Sequence, residues 1–139
     1  MSQERYPVLW IGQVAVVTLP AEIDVTNAGT VREELLSVLT QGAALLVADL
    51  SKTSFCDSAG VSALVRAFRR AATSESSMRL VVSTPAVQRV LSITGVDLLV
   101  DTYPSVAASL AGQLGQGDQG GQGQPDNATA KADTDSGGA

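Results

Sequence analysis

Six residues in the first half of the chain, Leu45-Leu46-Val47-Ala48-Asp49-Leu50, are apolar apart from Asp49. A run of that length without polar alternation belongs to a strand covered on both faces, the usual situation of a central strand in a parallel sheet. A short polar loop follows, and then Asp57-Ser58-Ala59-Gly60 opens a segment with Val61, Leu64, Val65, Phe68, Ala71 and Ala72 at helical spacing. Arg66, Arg69 and Arg70 fall mostly on its other side, as a solvated face does. A buried strand feeding an amphipathic helix is half of a crossover unit, which restricts the chain to the α/β class.

The flanking segments extend that pattern. Val8 to Ile11 and Val14 to Leu19 are β-rich runs separated by Gly12-Gln13, a two-residue hairpin signal, with Trp10 at the end of the sheet. Asp24 or Thr26 can cap a helix with Val31, Leu35, Val38 and Leu39 on one face and Gly42 as its stop. Leu80 to Val82 reads as another strand. Thr84-Pro85 opens a third helix with Val87, Val90, Leu91 and Thr94 inward and Gly95 as its stop. Leu98 to Val100 reads as a weak edge strand, and Pro104-Ser105 begins a last helix with Val106 and Leu110 inward. The expected order is β-β-α-β-α-β-α-β-α: a mixed sheet of four to five strands flanked by about four helices.

At 139 residues, with 45% hydrophobic and 17% charged, the chain is long enough for one globular domain with a real core. That domain is expected to span residues 1–111. From Gly112 the composition turns to Gly, Gln, Asp, Ala and Thr, so residues 112–139 are expected to form a disordered tail. Net charge is -5, and the tail's four Asp and one Lys account for most of it. This balance excludes the basic footprint of a nucleic-acid binder. No apolar run approaches the ~20 residues of a membrane-spanning helix, and the N-terminus lacks a secretory signal pattern. A cytoplasmic domain without membrane or nucleic-acid contact is expected.

There is one Cys and no His. An internal disulfide, a His-based triad and a His metal site are therefore excluded, and no metal or cofactor is expected. Ser58 stands where a helix start leaves backbone N–H groups without partners and where the helix dipole favours negative charge. A hydroxyl there can cap the helix, attack a substrate or carry a phosphate. Attack needs a general base; neither Asp57, a carboxylate, nor Lys52, in a polar loop, suits that role, and the Gly-x-Ser-x-Gly elbow is absent. Phosphate-loop glycine patterns are absent as well. Phosphorylation would add about -1.5 to -2 charges next to Asp57 and repel an acidic partner surface without unfolding the domain.

Three segments carry a family resemblance. Asp49-Leu50-Ser51 followed by Phe55-Cys56-Asp57-Ser58-Ala59-Gly60 resembles the hallmark of the bacterial anti-sigma factor antagonists, the single-domain members of the STAS family. Ala21-Glu22-Ile23-Asp24 and Pro85 to Asp97 resemble two further family segments. The resemblance implies a non-enzymatic regulator that binds a kinase-fold anti-sigma factor while unphosphorylated and so frees the sigma factor. It implies phosphorylation at Ser58 by that anti-sigma factor, with ATP, and reversal by a PP2C-type phosphatase. It places Asp24, Asn27, Asp57, Ser58, Ala59 and Gly60 on the partner-binding surface of a monomer or weak dimer. Alternatives from other classes are a scaffold module in a sensory or transporter-associated complex and a small-ligand or nucleotide binder. Two positions depart from the pattern: Ala21 replaces the usual Gly, and Cys56 replaces an aliphatic residue. Cys56 either packs as a small hydrophobe or acts as a redox-sensitive thiol two residues from the switch.

Overall fold

The computed structural model describes residues 6–114. The first compact unit ends at Ser109; a second begins at Leu110, of which only residues 110–114 are described. The expected tail, 112–139, lies almost wholly outside the described residues.

Strands β1 (Val8–Ile11) and β2 (Val14–Thr18) form the expected antiparallel hairpin. Chain order then runs β3 (Glu22–Ile23), α1 (Ala28–Thr40), β4 (Leu45–Asp49), β5 (Phe55–Cys56) and α2 (Ser58–Thr73). It ends with β6 (Ser77–Val81), α3 (Pro85–Thr94), α4 (Val96–Leu99), β7 (Asp101–Tyr103) and α5 (Val106–Leu114). The main sheet has the order β1-β2-β4-β6-β7 and is parallel apart from the opening hairpin. This is the mixed sheet expected, with five strands. The described residues hold five helices.

All five residues of β4 are buried, as a central strand between β2 and β6 requires. The core lies between one sheet face and the helices. Ala15, Val17, Leu46, Ala48 and Leu80 of the sheet join Val31, Leu35 and Val38 of α1 and Leu64, Ala67 and Ala71 of α2 in one buried cluster. Arg66, Arg69 and Arg70 are exposed, as their place on α2 predicts.

Two expectations shift. The strand expected at Leu98 to Val100 is replaced by a helical turn, Val96–Leu99, and the edge strand moves to Asp101–Tyr103. Gly95, at φ 83°, ends α3 in the left-handed region, and the turn that follows buries Val96 and Val100 while leaving Leu98 and Leu99 exposed. Pairing with β6 then starts only at Asp101, opposite Arg79. The strand expected at Leu80 to Val82 begins earlier, at Ser77, because Ser77 pairs with Leu45.

A second sheet was not expected at all. Strands β3 and β5, two residues each, pair in parallel with Ile23 opposite Cys56. It continues from the ends of β2 and β4, and it positions the site.

Candidate functional site

The loop after β4 is tied down along its length. Asp49 Oδ1 accepts from Ser51 N (2.9 Å), and the buried Thr53 donates its hydroxyl to Pro20 O (2.8 Å). Ser54 N donates to Ala21 O (2.8 Å), and Asp57 N donates to Ile23 O (3.1 Å). From the other side, Thr84 at the start of α3 donates its hydroxyl to Thr53 O (2.8 Å). Backbone carbonyls of residues 20–23 and the side chain of Thr84 thus fix where α2 starts.

Asp57, not Ser58, caps α2. Its backbone is extended (φ -96°, ψ -171°), and its Oδ1 accepts from Ala59 N (2.9 Å) and Gly60 N (3.1 Å). Ser58 is the first helical residue and is exposed; its hydroxyl forms no hydrogen bond with another described residue. The capping role that the sequence left open for Ser58 is filled by its neighbour. A phosphate on Ser58 would find the N–H groups of Ala59 and Gly60 already engaged, so its charge would stay on the surface next to the Asp57 carboxylate.

Asp24 and Asn27 lie in the turn after β3. The parallel register sets Ile23 opposite Cys56, and Asp24 and Asp57 are the residues that follow this last pair. Neither Asp24 nor Thr26 caps α1; the N-cap is Asn27, whose Oδ1 accepts from Asp24 N (3.0 Å) and whose Nδ2 donates to Glu22 O (2.8 Å). The Asp24 carboxylate accepts from both the hydroxyl and the N–H of Thr26, and these bonds hold its pKa below the ordinary value. These hydrogen bonds tie the turn together, and its carboxylate is ionised at neutral pH.

Gly60 allows α2 to approach the small sheet. A Cβ at this position would lie 2.6 Å from Cys56 Sγ and 2.7 Å from Ile23 Cγ2. Gly60→Ala is expected to destabilise the domain by up to about 2 kcal/mol. Overpacking costs about 1–3 kcal/mol and exceeds the roughly 1 kcal/mol that Ala gains over Gly in a helix. Denaturant titration measures this, and adding Cys56→Ala should restore part of the loss; a Gly60→Ala protein as stable as the parent would contradict the close approach.

Cys56 is buried in the core cluster. Burial, with a smaller contribution from the Asp57 charge, pushes its thiol up to about 11. Two units above the ordinary 9.0 is about a hundredfold less thiolate at neutral pH. Folded protein is therefore expected to react with iodoacetamide far more slowly than protein in denaturant; equal rates would restore the redox reading. Because the folded-state value is the raised one, the associated stability is present below about 9 and lost as pH rises toward about 11.

Among the described residues no three His, Cys, Asp or Glu side chains could hold a metal ion, and no helix is long and apolar enough to cross a membrane. The exposure of two apolar residues in these segments was not legible in the sequence. Val25, next to Asp24 in the chain, is 76% exposed, and Phe55, opposite Glu22, is 50% exposed. The available signal was an isolated aromatic within a polar loop, next to a residue that packs inward.

Residues 7–109 match the model of the STAS domain. The chain belongs to the STAS domain family. The fold is similar to that of an anti-sigma factor antagonist from Mycobacterium paratuberculosis, with 26% identity and a TM-score of 0.71 over 76% of this chain and 90% of that one. An anti-sigma-factor antagonist (STAS) domain protein from Planctomyces limnophilus shares 21% identity and a TM-score of 0.70, over 79% and 98%. The Bacillus cell fate determinant SpoIIAA in its phosphorylated form shares 18% identity and a TM-score of 0.60, over 76% and 96%. At these last two identities the likeness concerns the fold. No curated protein sequence matches the chain.

Proposed function

We propose that this STAS domain is an anti-sigma factor antagonist acting in the cytoplasm by partner switching, without a reaction of its own. Unphosphorylated, it binds a kinase-fold anti-sigma factor through the surface around Ser58 and thereby releases a sigma factor. The anti-sigma factor transfers the γ-phosphoryl group of ATP to the Ser58 oxygen, the hydroxyl proton leaves, and ADP departs. A PP2C-type phosphatase hydrolyses the phosphoserine and resets the switch.

The observation that carries this reading is the division of labour at the start of α2. Asp57 satisfies the helix end, leaving an exposed hydroxyl with no structural task. Such a hydroxyl can be modified without loss of a cap, and a phosphate there changes the surface while the core stays intact. Its similarity to anti-sigma factor antagonists, one of them solved in a phosphorylated form, supports the same reading.

The test is a pull-down from a lysate of the source organism, with the tagged full chain as bait, in the presence and absence of ATP. A kinase-fold anti-sigma factor should be retained without ATP and released with it, with phosphate mapped to Ser58. Retention unaffected by ATP, or phosphate at another residue, would overturn the proposal.

A further inference from the structure

Between α3, α4 and the edge strand β7 lies a cleft of about 260 Å³. It sits at the carboxyl ends of β6 and β7, where ligands commonly bind in open α/β sheets. The same local departure that moved the edge strand shapes it. Gly95 turns the chain in the left-handed region, and the helical turn Val96–Leu99 sets Asp97 on one wall. The buried Val82 and Leu91, with Pro104, supply an apolar lining. Gln88, Asp97 and Thr102 supply polar groups whose hydrogen-bonding capacity is largely unspent. The Asp97 carboxylate and the Thr102 hydroxyl form no hydrogen bond or ion pair with a described residue. Gln88 Nε2 donates to Val82 O over 3.5 Å, which leaves its Oε1 as an acceptor. Among the described residues no basic side chain lines the cleft.

We infer that this cleft binds a small organic cation, a primary ammonium group carried on an apolar body. An ammonium group has three N–H donors and no acceptor. The uncommitted groups of the cleft are a carboxylate, an amide oxygen and a hydroxyl, all able to accept. Asp97 is the one charged group among the described lining residues, so a cation is attracted and an anion repelled. The volume lies just below the roughly 300–1,000 Å³ of pockets for drug-sized ligands, so the occupant is small. Its body packs on Val82, Leu91 and Pro104, while the polar groups fix its orientation. None of these residues belongs to the surface assigned to the anti-sigma factor, so the inference does not depend on phosphorylation of Ser58.

The test is a titration of the isotopically labelled full chain with phenethylamine, followed through backbone amide shifts by NMR. Its neutral and anionic counterparts, 2-phenylethanol and phenylacetate, are titrated in parallel. The amides of Gln88, Leu91, Asp97 and Thr102 should shift saturably with phenethylamine. A dissociation constant on the order of 1–10 mM is expected for a probe of about nine non-hydrogen atoms. 2-Phenylethanol should bind several-fold more weakly, and phenylacetate should give no saturable shift. Asp97→Asn should weaken phenethylamine binding about three- to tenfold and leave 2-phenylethanol unaffected. Its melting point should stay near that of the parent, because Asp97 is exposed and unbonded. No saturable shift at these four amides up to about 50 mM, well above the expected constant, would overturn the assignment. So would binding of either counterpart as tight as that of phenethylamine, or Asp97→Asn binding it within twofold of the parent. Each of these failures leaves the reading of Ser58, tested with its own partner, where it stands.

Discussion

Ser58→Glu is expected to bind the kinase-fold anti-sigma factor roughly thirty- to several-thousand-fold more weakly than the parent. A mismatched charge at an interface costs about 2–5 kcal/mol, and each 1.4 kcal/mol is about tenfold. Glutamate carries about half the charge of phosphoserine, so its effect should fall toward the lower end. Ser58→Ala makes the opposite separation. It should bind as the parent does, because Asp57 still caps α2 through Ala59 N and Gly60 N, and it should remain bound when ATP is added. Both variants should melt within a few degrees of the parent, since Ser58 is exposed and takes no part in the core. Titration of each variant with the partner, with and without ATP, reads all of these. Release of Ser58→Ala by ATP would mean that another residue carries the switch.

Leu64→Ala should produce the largest loss of stability. Leu64 is fully buried, near the middle of α2, among the side chains of the core cluster. Truncating a buried Leu costs about 2–5 kcal/mol, depending on how far the cavity collapses. For a domain of this size each kcal/mol shifts the melting point by about 4–8 °C, so a decrease on the order of 10–30 °C is expected. Arg66→Ala, two residues away on the exposed face, should change stability by no more than about 0.5 kcal/mol. Thermal and urea unfolding followed by circular dichroism compare the two. Equal small effects would mean that α2 does not pack as described, and the position of Ser58 would then lose its support.

The site was partly legible before folding was considered. Ser58 could be placed at a helix start because Val61, Leu64 and Ala71 repeat at helical spacing after it, and all three are buried. The family segments pointed to Asp24 and Asn27, and Asp24 and Asp57 each follow the last paired residue of β3 and β5. What could not be read was which of two adjacent capping residues caps. Asp57 and Ser58 are both suited to the task, and the choice depends on which one adopts the extended backbone angle. That angle is imposed by Asp57 N bonding to Ile23 O, a residue distant in the chain. The exposed Phe55 and Val25 were missed for a similar reason: exposure is a property of what packs nearby, which composition does not contain.

By itself the sequence determined the elements whose signals are local and repeated. Helix faces are written every three to four residues, and the buried strand Leu45–Asp49 as an unbroken apolar run, so both survive any uncertainty about neighbours. Only the tertiary structure decided the small sheet. Two residues on each side are too few to show a period, and their pairing exists because residues 33 apart, such as Ala21 and Ser54, are brought together by the main sheet. The edge strand at Asp101–Tyr103 was decided in the same way, by the register of β6 rather than by the apolar run before it. The reason for Gly60 is tertiary too. It serves as the point where α2 meets Ile23 and Cys56 without room for a methyl group, two residues after Ser58.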